Sequence, residues 1–457
     1  MRGDVGRRAA PLLAVLIIGL QTHEARAADL MDLYAKARAS DPTILSARAE
    51  QMIADESLRE AKAGYKPTLS ANGQTSKVYQ DIIKANTFIG AGALKIPLYS
   101  DGKTDYFNKN FGISLTQPLY QPEALTRIPQ AQVEVQQARS RFAASEQDMI
   151  FRLAQVVFGF LGASDNLDLA TSERMAIWQQ LEESEQRLGS GMGTLTDVHE
   201  ARARFALAQA KEIDARDALE ENRQAIAEMT GEPPTDVKKL SETFPLVAPD
   251  RPEVESWIQA AMFQNPSITA QQAAVEIADR EVRRQRAAYR PHLDLVASYD
   301  DVNSGGTTIG TGGNEIQSKN LMLRLGIPIL DGGRSAALSQ TASLRHEMAI
   351  QELEKTRRRV ERETRAAFQG VMGGMTRVQA LTQSVFSQES AVSAKEQGFR
   401  SGVNTGLAVL DARKDLFTAR KDLAQSRYLY ILNSLKLKQS AGTLQAEDLR
   451  LINAYFQ

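Results

Sequence analysis

Two hydrophobic rhythms alternate along the chain. From Leu69 the pattern runs by twos: Leu69, Ala71, Gly73 and Thr75 fall on one face, and Phe111, Ile113 and Leu115 alternate with Gly112, Ser114 and Thr116. The same rhythm returns at Leu293, Leu295, Ala297 and Tyr299. Leu321, Leu323, Leu325 and Ile327 then alternate with Met322, Arg324 and Gly326. Period two with one apolar face predicts strands. Each is about the 9–11 residues that cross a bilayer with tilt. The intervening segments 80–106 and 304–316 read as loops, the second carrying Gly305-Gly306 and Gly312-Gly313.

After each strand pair proline disappears and a helical rhythm takes over. No proline lies between Pro129 and Pro233, and none follows Pro328. The descending helices, about 123–189 and 334–400, are each on the order of 100 Å long at 1.5 Å per residue. Turns at Gly189-Ser190-Gly191-Met192-Gly193 and Ser401-Gly402-Val403-Asn404 reverse them. In the last helix Val409, Leu416, Leu423, Tyr430 and Leu437 recur every seven residues, beside a small column of Ala412, Ala419, Ser426 and Asn433. Ala201, Ala208, Ala215 and Asn222 repeat that column earlier. Sustained sevens predict a left-handed supercoil, and small residues let the helices approach closely.

The chain is written twice. Residues 41–67 align with 265–291 without a gap, 10 of 27 positions being identical. Asp41-Pro42 matches Asn265-Pro266, each an N-cap followed by proline at the first helical position. Tyr65-Lys66-Pro67 matches Tyr289-Arg290-Pro291, where the proline turns the chain to extended geometry. Gln117-Pro118-Leu119-Tyr120 falls opposite Ile327-Pro328-Ile329-Leu330. Gly159 and Gly162 fall opposite Gly370 and Gly373, Ser190-Gly191 opposite Ser401-Gly402, and Gly231 opposite Gly442. The expected organisation is a first repeat over 28–230, with a hairpin at about 67–118. A connector over 231–252 follows, holding Pro233, Pro234, Pro245, Pro249 and Pro252 and expected at the equator of the molecule. A second repeat covers 253–457, with a hairpin at about 291–329.

Residues 1–27 stand apart. Arg2, Arg7 and Arg8 precede an apolar run from Pro11 to Leu20, and Ala25-Arg26-Ala27 is a small-x-small cleavage pattern. This reads as a secretory signal, the run being too short for a spanning helix. Its removal leaves a net charge of −3. With Lys+Arg 55 against Asp+Glu 56 over 457 residues, the chain lacks the basic excess that nucleic acid requires. Cysteine is absent and histidine numbers four, so disulfides, thiolate metal sites and a lipidated N-terminal Cys are excluded. No metal-ligand spacing, Gly-x-Ser-x-Gly, phosphate loop or acid–base pair is present, so neither a cofactor nor an enzyme is expected.

Two hairpins supply four strands, and about eight are needed to enclose even a filled barrel. An open edge is not tolerated in lipid, so the chain is expected to oligomerise. The double repeat, the Tyr-Lys/Arg-Pro strand entry and the run Gly402-x-x-Thr405-x-x-x-Val409-Leu410-Asp411-Ala412 resemble the TolC-like outer-membrane channels of efflux pumps and type I secretion systems. The resemblance covers essentially the whole mature chain. It implies a helix-dominated fold with membrane β-structure. Three chains would form a twelve-stranded barrel, four strands from each, continued by a helical coiled-coil tunnel across the periplasm of a Gram-negative cell. Implied partners are two further copies of the chain, outer-membrane lipid, a periplasmic adaptor (membrane-fusion) protein and an inner-membrane ABC or RND transporter.

The resemblance also implies a polar constriction near the helical turns. Asp411 would join its acidic ring, Thr196-Asp197 match the first repeat's polar pair, and Gln180 and Glu396 hold cross-helix partner positions. Ala408, Asn404 and Phe399 stand where relatives often carry Asp, Arg and Tyr, so a Tyr hydroxyl bond is missing at Phe399. The strand leucines Leu293, Leu295, Leu321, Leu323 and Leu325 are expected to face lipid. Structural readings stand beside these. Asp411 sits where a helix dipole favours a carboxylate, Asp197 lies in an N-cap region, and His199 reads as a surface residue. Arg413, Arg420 and Arg427 form a column that reads as a solvated face, and the paired glycines mark a bend or close packing. The export duct of a type I secretion system leads; lack of a lipidated Cys favours it over an RND efflux component. A periplasmic coiled-coil scaffold without a pore is the reading from a different class.

Overall fold

The computed structural model describes residues 28–83, 88–89, 96–97, 102–241, 244–306, 313–401, 403–404 and 406–456. Residues 1–27, expected to form a signal segment, and parts of both strand connections lie outside them. The first repeat opens with α1 (Leu30–Ser40) and α2 (Pro42–Ala63). A sheet region follows: β1 (Thr68–Ile82), the two-residue strands β2 (Phe88–Ile89) and β3 (Ile96–Pro97), and β4 (Gly102–Tyr120). The hairpin of α3 (Pro122–Gly189) and α4 (Leu195–Thr230) completes it. The second repeat runs α5 (Val254–Gln264), α6 (Pro266–Ala287), β5 (His292–Ser304), β6 (Asn314–Gly326), α7 (Arg334–Arg400), α8 (Gly406–Ser440) and α9 (Ala446–Asn453). The periodicity did not reveal α1, α5 and α9, which are too short to carry several turns of it.

Local chemistry sets the boundaries. Asp41 caps α2 by accepting from Thr43 N at 2.9 Å, and Asn265 caps α6 by accepting from Ser267 N at 2.9 Å. Both caps are buried, and each finds a different second partner. Asp41 receives Arg152 at 2.8 Å, whereas Asn265 donates to the Ser440 carbonyl at 2.8 Å. The repeat thus keeps the cap and changes what holds it.

The four long strands form one antiparallel sheet ordered β1-β4-β5-β6. They correct the expected loops at 80–106 and 304–316: β1 continues to Ile82, β4 starts at Gly102, β5 ends at Ser304 and β6 starts at Asn314. Ladder hydrogen bonds need no apolar side chain, so the pairing outruns the hydrophobic alternation that marked it. Register places Leu69, Leu115, Ala297 and Leu321 in one row, with Ala71, Ile113 and Tyr299 in the next. Leu293 opposes Leu325, and Leu295 opposes Leu323. Leu69, Leu115, Leu321, Leu323 and Leu325 on this face are exposed. The opposite face carries Ser70, Asn72, Asn110, Ser114, Ser298, Asp300 and Asn320.

The core is a belt. Leu30, Leu33, Leu153, Val157, Leu161, Ile226, Trp257, Val371, Ile431, Leu435 and Leu449 are buried together where α1, α5 and α9 close over the long helices. Away from the belt the coiled coils rest on small residues. Ala201, Ala208, Ala215, Ala412, Ala419 and Ser426 are all buried. A Cβ at Gly159 would stand 2.7 Å from Asn222 Oδ1, and one at Gly370 would stand 2.8 Å from the Asn433 amide carbon. Gly159 and Gly370, the first glycine of each pair, therefore make room for the asparagine that ends each small column.

Near the sheet, α3 meets α6 through charge. Glu281 accepts from Arg284 at 2.8 Å and 2.9 Å and from Gln130 at 3.2 Å, and Arg284 reaches Glu123 at 3.0 Å. The Arg284 guanidinium holds the Glu281 carboxyl down to about 2. A carboxyl depressed by folding stabilises above its unfolded pKa, near 4.5, and loses that contribution as pH falls toward 2. Glu281→Gln is therefore expected to lower the thermal midpoint at pH 7 and to converge with the wild type between about pH 4.5 and 2. Circular-dichroism melts across that range check it.

Candidate gate at the helical tip

The hairpin turns are built by backbone chemistry. Thr194 Oγ1 accepts from Asp197 N at 3.2 Å while Asp197 Oδ2 accepts from Thr194 N at 3.1 Å, a reciprocal capping box that starts α4. At the second turn Asn404 Nδ2 donates to the Lys395 carbonyl at 3.4 Å, and Ser401 Oγ donates to Gly398 O at 3.0 Å. Both turns present an apolar residue to solvent at equivalent positions, Met192 and Val403.

Each hairpin is then laced by one ion pair at the same height. Arg202 reaches Glu185 at 2.7 Å, and Arg413 reaches Glu396 at 2.6 Å. These pairs correspond exactly one repeat apart, each with a 17-residue separation. The sequence signal for both is Glu-x16-Arg, once in each repeat, a spacing that hydrophobic periodicity does not mark. Higher up, Arg420 meets Glu389 at 2.7 Å. Arg413 and Arg420 are thus bound to the neighbouring helix rather than forming a wholly solvated column.

Of the residues singled out beforehand, the structure brings few into direct contact. Asp197 is held by its own cap, Glu396 by Arg413, and Asn404 within its own turn. Gln180 and Phe399 are half-buried, while Thr196 and His199 are exposed. The Gln180 carbonyl accepts from Ser184 Oγ at 2.9 Å. Asp411 lies 3.9 Å from Arg204 of α4, which also binds Glu200 at 2.8 Å. Among the described residues this is the single ion pair joining the two helical hairpins. Arg204 was not anticipated, because nothing in its own helix distinguishes it from other arginines.

Among the described residues no three His, Asp or Glu side chains gather as a metal site, and no helix is long and apolar enough to cross a membrane. What remains is an amphipathic sheet with one apolar face, one polar face and two unpaired edges, set on two helical hairpins. That defines a segment of a membrane β-barrel with a helical extension. The chain belongs to the outer membrane efflux protein family, whose defining pattern matches residues 33–232 and 257–443. The outer membrane protein TolC of Vibrio cholerae is 29% identical over 449 residues, covering 98% of both chains. The proteases secretion protein PrtF of Dickeya chrysanthemi is 29% identical over 460 residues, covering 99% of this chain and 96% of that one. The fold matches the crystal structure of the Campylobacter jejuni CmeC outer membrane channel with a TM-score of 0.75 at 14% identity, over 94% of this chain and 90% of that one. The protein is an outer-membrane export channel subunit.

Proposed function

We propose that three copies close into a twelve-stranded barrel whose helices continue as a tunnel, forming the outer-membrane duct of a type I secretion system. The observation that carries this reading is the coincidence of free edges. β1 and β6 are unpaired on opposite sides of the sheet. Near the sheet the helices pack in the order α2, α3, α6, α7, so α2 lies on the β1 side and α7 on the β6 side. Both free helices expose large apolar side chains: Met52 and Ile53 on α2, Leu344, Met348 and Phe386 on α7. A surface that differs on its two sides makes head-to-tail contacts, which close as a ring when the rotation between copies divides a full turn. β6 and the next copy's β1 run antiparallel, as closure requires. Native mass spectrometry in detergent is expected to give a trimer; a monomer or stable dimer overturns the reading.

The secretion assignment rests on the near full-length similarity to PrtF and on the missing lipidation site. An ABC transporter and a periplasmic adaptor are the partners it calls for. The family's efflux members favour a second reading, the duct of an RND-type pump. Purification from the native membrane after cross-linking separates the two by which transporter is captured. In either case the 28–230 and 253–457 halves act as one unit, joined through an equatorial connector.

Lipid meets the leucine face in this reading. The span from Leu293 to Tyr299 covers about 20 Å of strand, close to the apolar band of membrane barrels. Leu323→Arg places a charge there at about 2–4 kcal/mol per copy near the midplane. Asn320→Arg puts the same side chain on the polar face. Heat-modifiable trimer in outer-membrane fractions is expected to fall sharply for the first and little for the second.

At the tip, threefold symmetry gathers three Asp411 carboxylates around one axis, and a ring of acidic side chains favours cations. Arg204 restrains that charge. Thr196, Asp197, Gln180, Glu396 and Phe399 shape the surrounding helix contacts. Reversal potentials in planar bilayers are expected to show less cation preference for Asp411→Asn and more for Arg204→Gln. Unchanged selectivity in both variants removes Asp411 from the constriction.

A further inference from the structure

The connector does more than join two repeats. Its first residues lie between the two ends of the described chain: Ala28 N donates to Asp236 O at 2.9 Å, Lys238 N to Ala28 O at 3.1 Å, and Ser241 N to Tyr455 O at 2.8 Å. It then holds α8 directly at Tyr430 and, through Asp165 of α3, at Tyr428 two residues earlier. Tyr430 Oη donates to the Val247 carbonyl at 2.7 Å and accepts from Val247 N at 2.9 Å. Tyr428 Oη donates to Asp165 of α3 at 2.7 Å, and Asp165 lies 3.9 Å from connector Lys239, which binds Asp168 at 2.6 Å. Both tyrosines are buried, at 9% and 3% exposure.

The grip is absent from the first repeat. One repeat earlier, Tyr428 and Tyr430 correspond to Asp217 and Leu219, which cannot make these bonds. There α4 instead runs straight into the connector through Gly231. One ascending helix is therefore tied to the connector by the covalent chain, the other by the Tyr430 hydroxyl directly and by the Tyr428 hydroxyl through Asp165, which Lys239 faces.

We propose that the connector is a strap that sets the angle of α8 at the equator and so fixes the resting aperture, with Tyr428 and Tyr430 as its positioning residues. This rests on the duct reading above. From Tyr430 to Val403 the helix arm is about 40 Å long. A tilt of about 6° at the strap then moves the tip by about 4 Å. A small loss of restraint at the belt becomes a change of pore size at the mouth.

The chain has no cysteine, so Val403→Cys can carry a single spin label per copy at the exposed second turn. Distances between labels in full-length trimers are compared for the otherwise unmodified chain, Tyr428→Phe, Tyr430→Phe, their combination, and Tyr455→Phe. Tyr455 packs its ring against Phe244 on the same strap and serves as the control. Expected is a mean separation longer by about 4 Å or more in the combined variant, smaller shifts in each single, and none in Tyr455→Phe. Single-channel conductance is expected to rise in the same order. Unshifted distances, with or without a lowered melting point, overturn the strap and leave the tyrosines as packing. Should Tyr430→Phe fail to assemble, Tyr428→Phe alone decides by the same criterion. Trimers that do not conduct refute the duct, while the label distances still report on the strap.

Discussion

A sheet of four strands leaves two rows of backbone N–H and C=O groups without partners, and hydrocarbon offers none. Each unmet group costs several kcal/mol in lipid, far more than any side chain at the edge can offset. This constraint explains why the free sides of the sheet and of the helices fall on the same flanks of the subunit. The helices at those flanks also keep apolar side chains on their surfaces. A subunit built this way is one segment of a closed wall, and its fold is read correctly only with its neighbours implied.

The duplicated chain shows how two halves of one wall acquire different tasks. The shared parts are those that geometry demands: the capped helix before each strand pair, the small column in each ascending helix, the glycine that admits an asparagine, and the ion pair across each hairpin. The divergent parts are polar partners. Asp41 binds an arginine where Asn265 binds a carbonyl, and the tyrosines of α8 have no counterpart on α4. Packing is conserved between the halves because close contact has few solutions, whereas a polar group needs only one partner within reach and can change it. The tip follows the same logic. Exposed ion pairs there, Arg202–Glu185 and Arg413–Glu396, are each worth at most about 1 kcal/mol, so they add little to the packing that holds each hairpin together.

Periodicity by itself determined the alternation of strand pairs and long helices, the position of both turns, and the duplication. These follow from local rules: side chains alternate along a strand, recur every 3.6 residues along a helix, and proline or glycine interrupts both. The resemblance carried by the Gly402–Ala412 run added the kind of assembly. Local rules could not reveal the ends of the strands, since the ladder runs on past the last apolar residue, nor α1, α5 and α9, whose turns are too few to show a period. Nor could they pair Arg204 with Asp411, or Tyr430 with Val247. Those contacts join residues that are far apart in the chain, and one partner in each pair is ordinary for its position. Only the packing of one hairpin against another, and of the connector against α8, brings them within reach, because hydrogen bonds and ion pairs are set by distances of a few ångströms that no spacing along the sequence encodes.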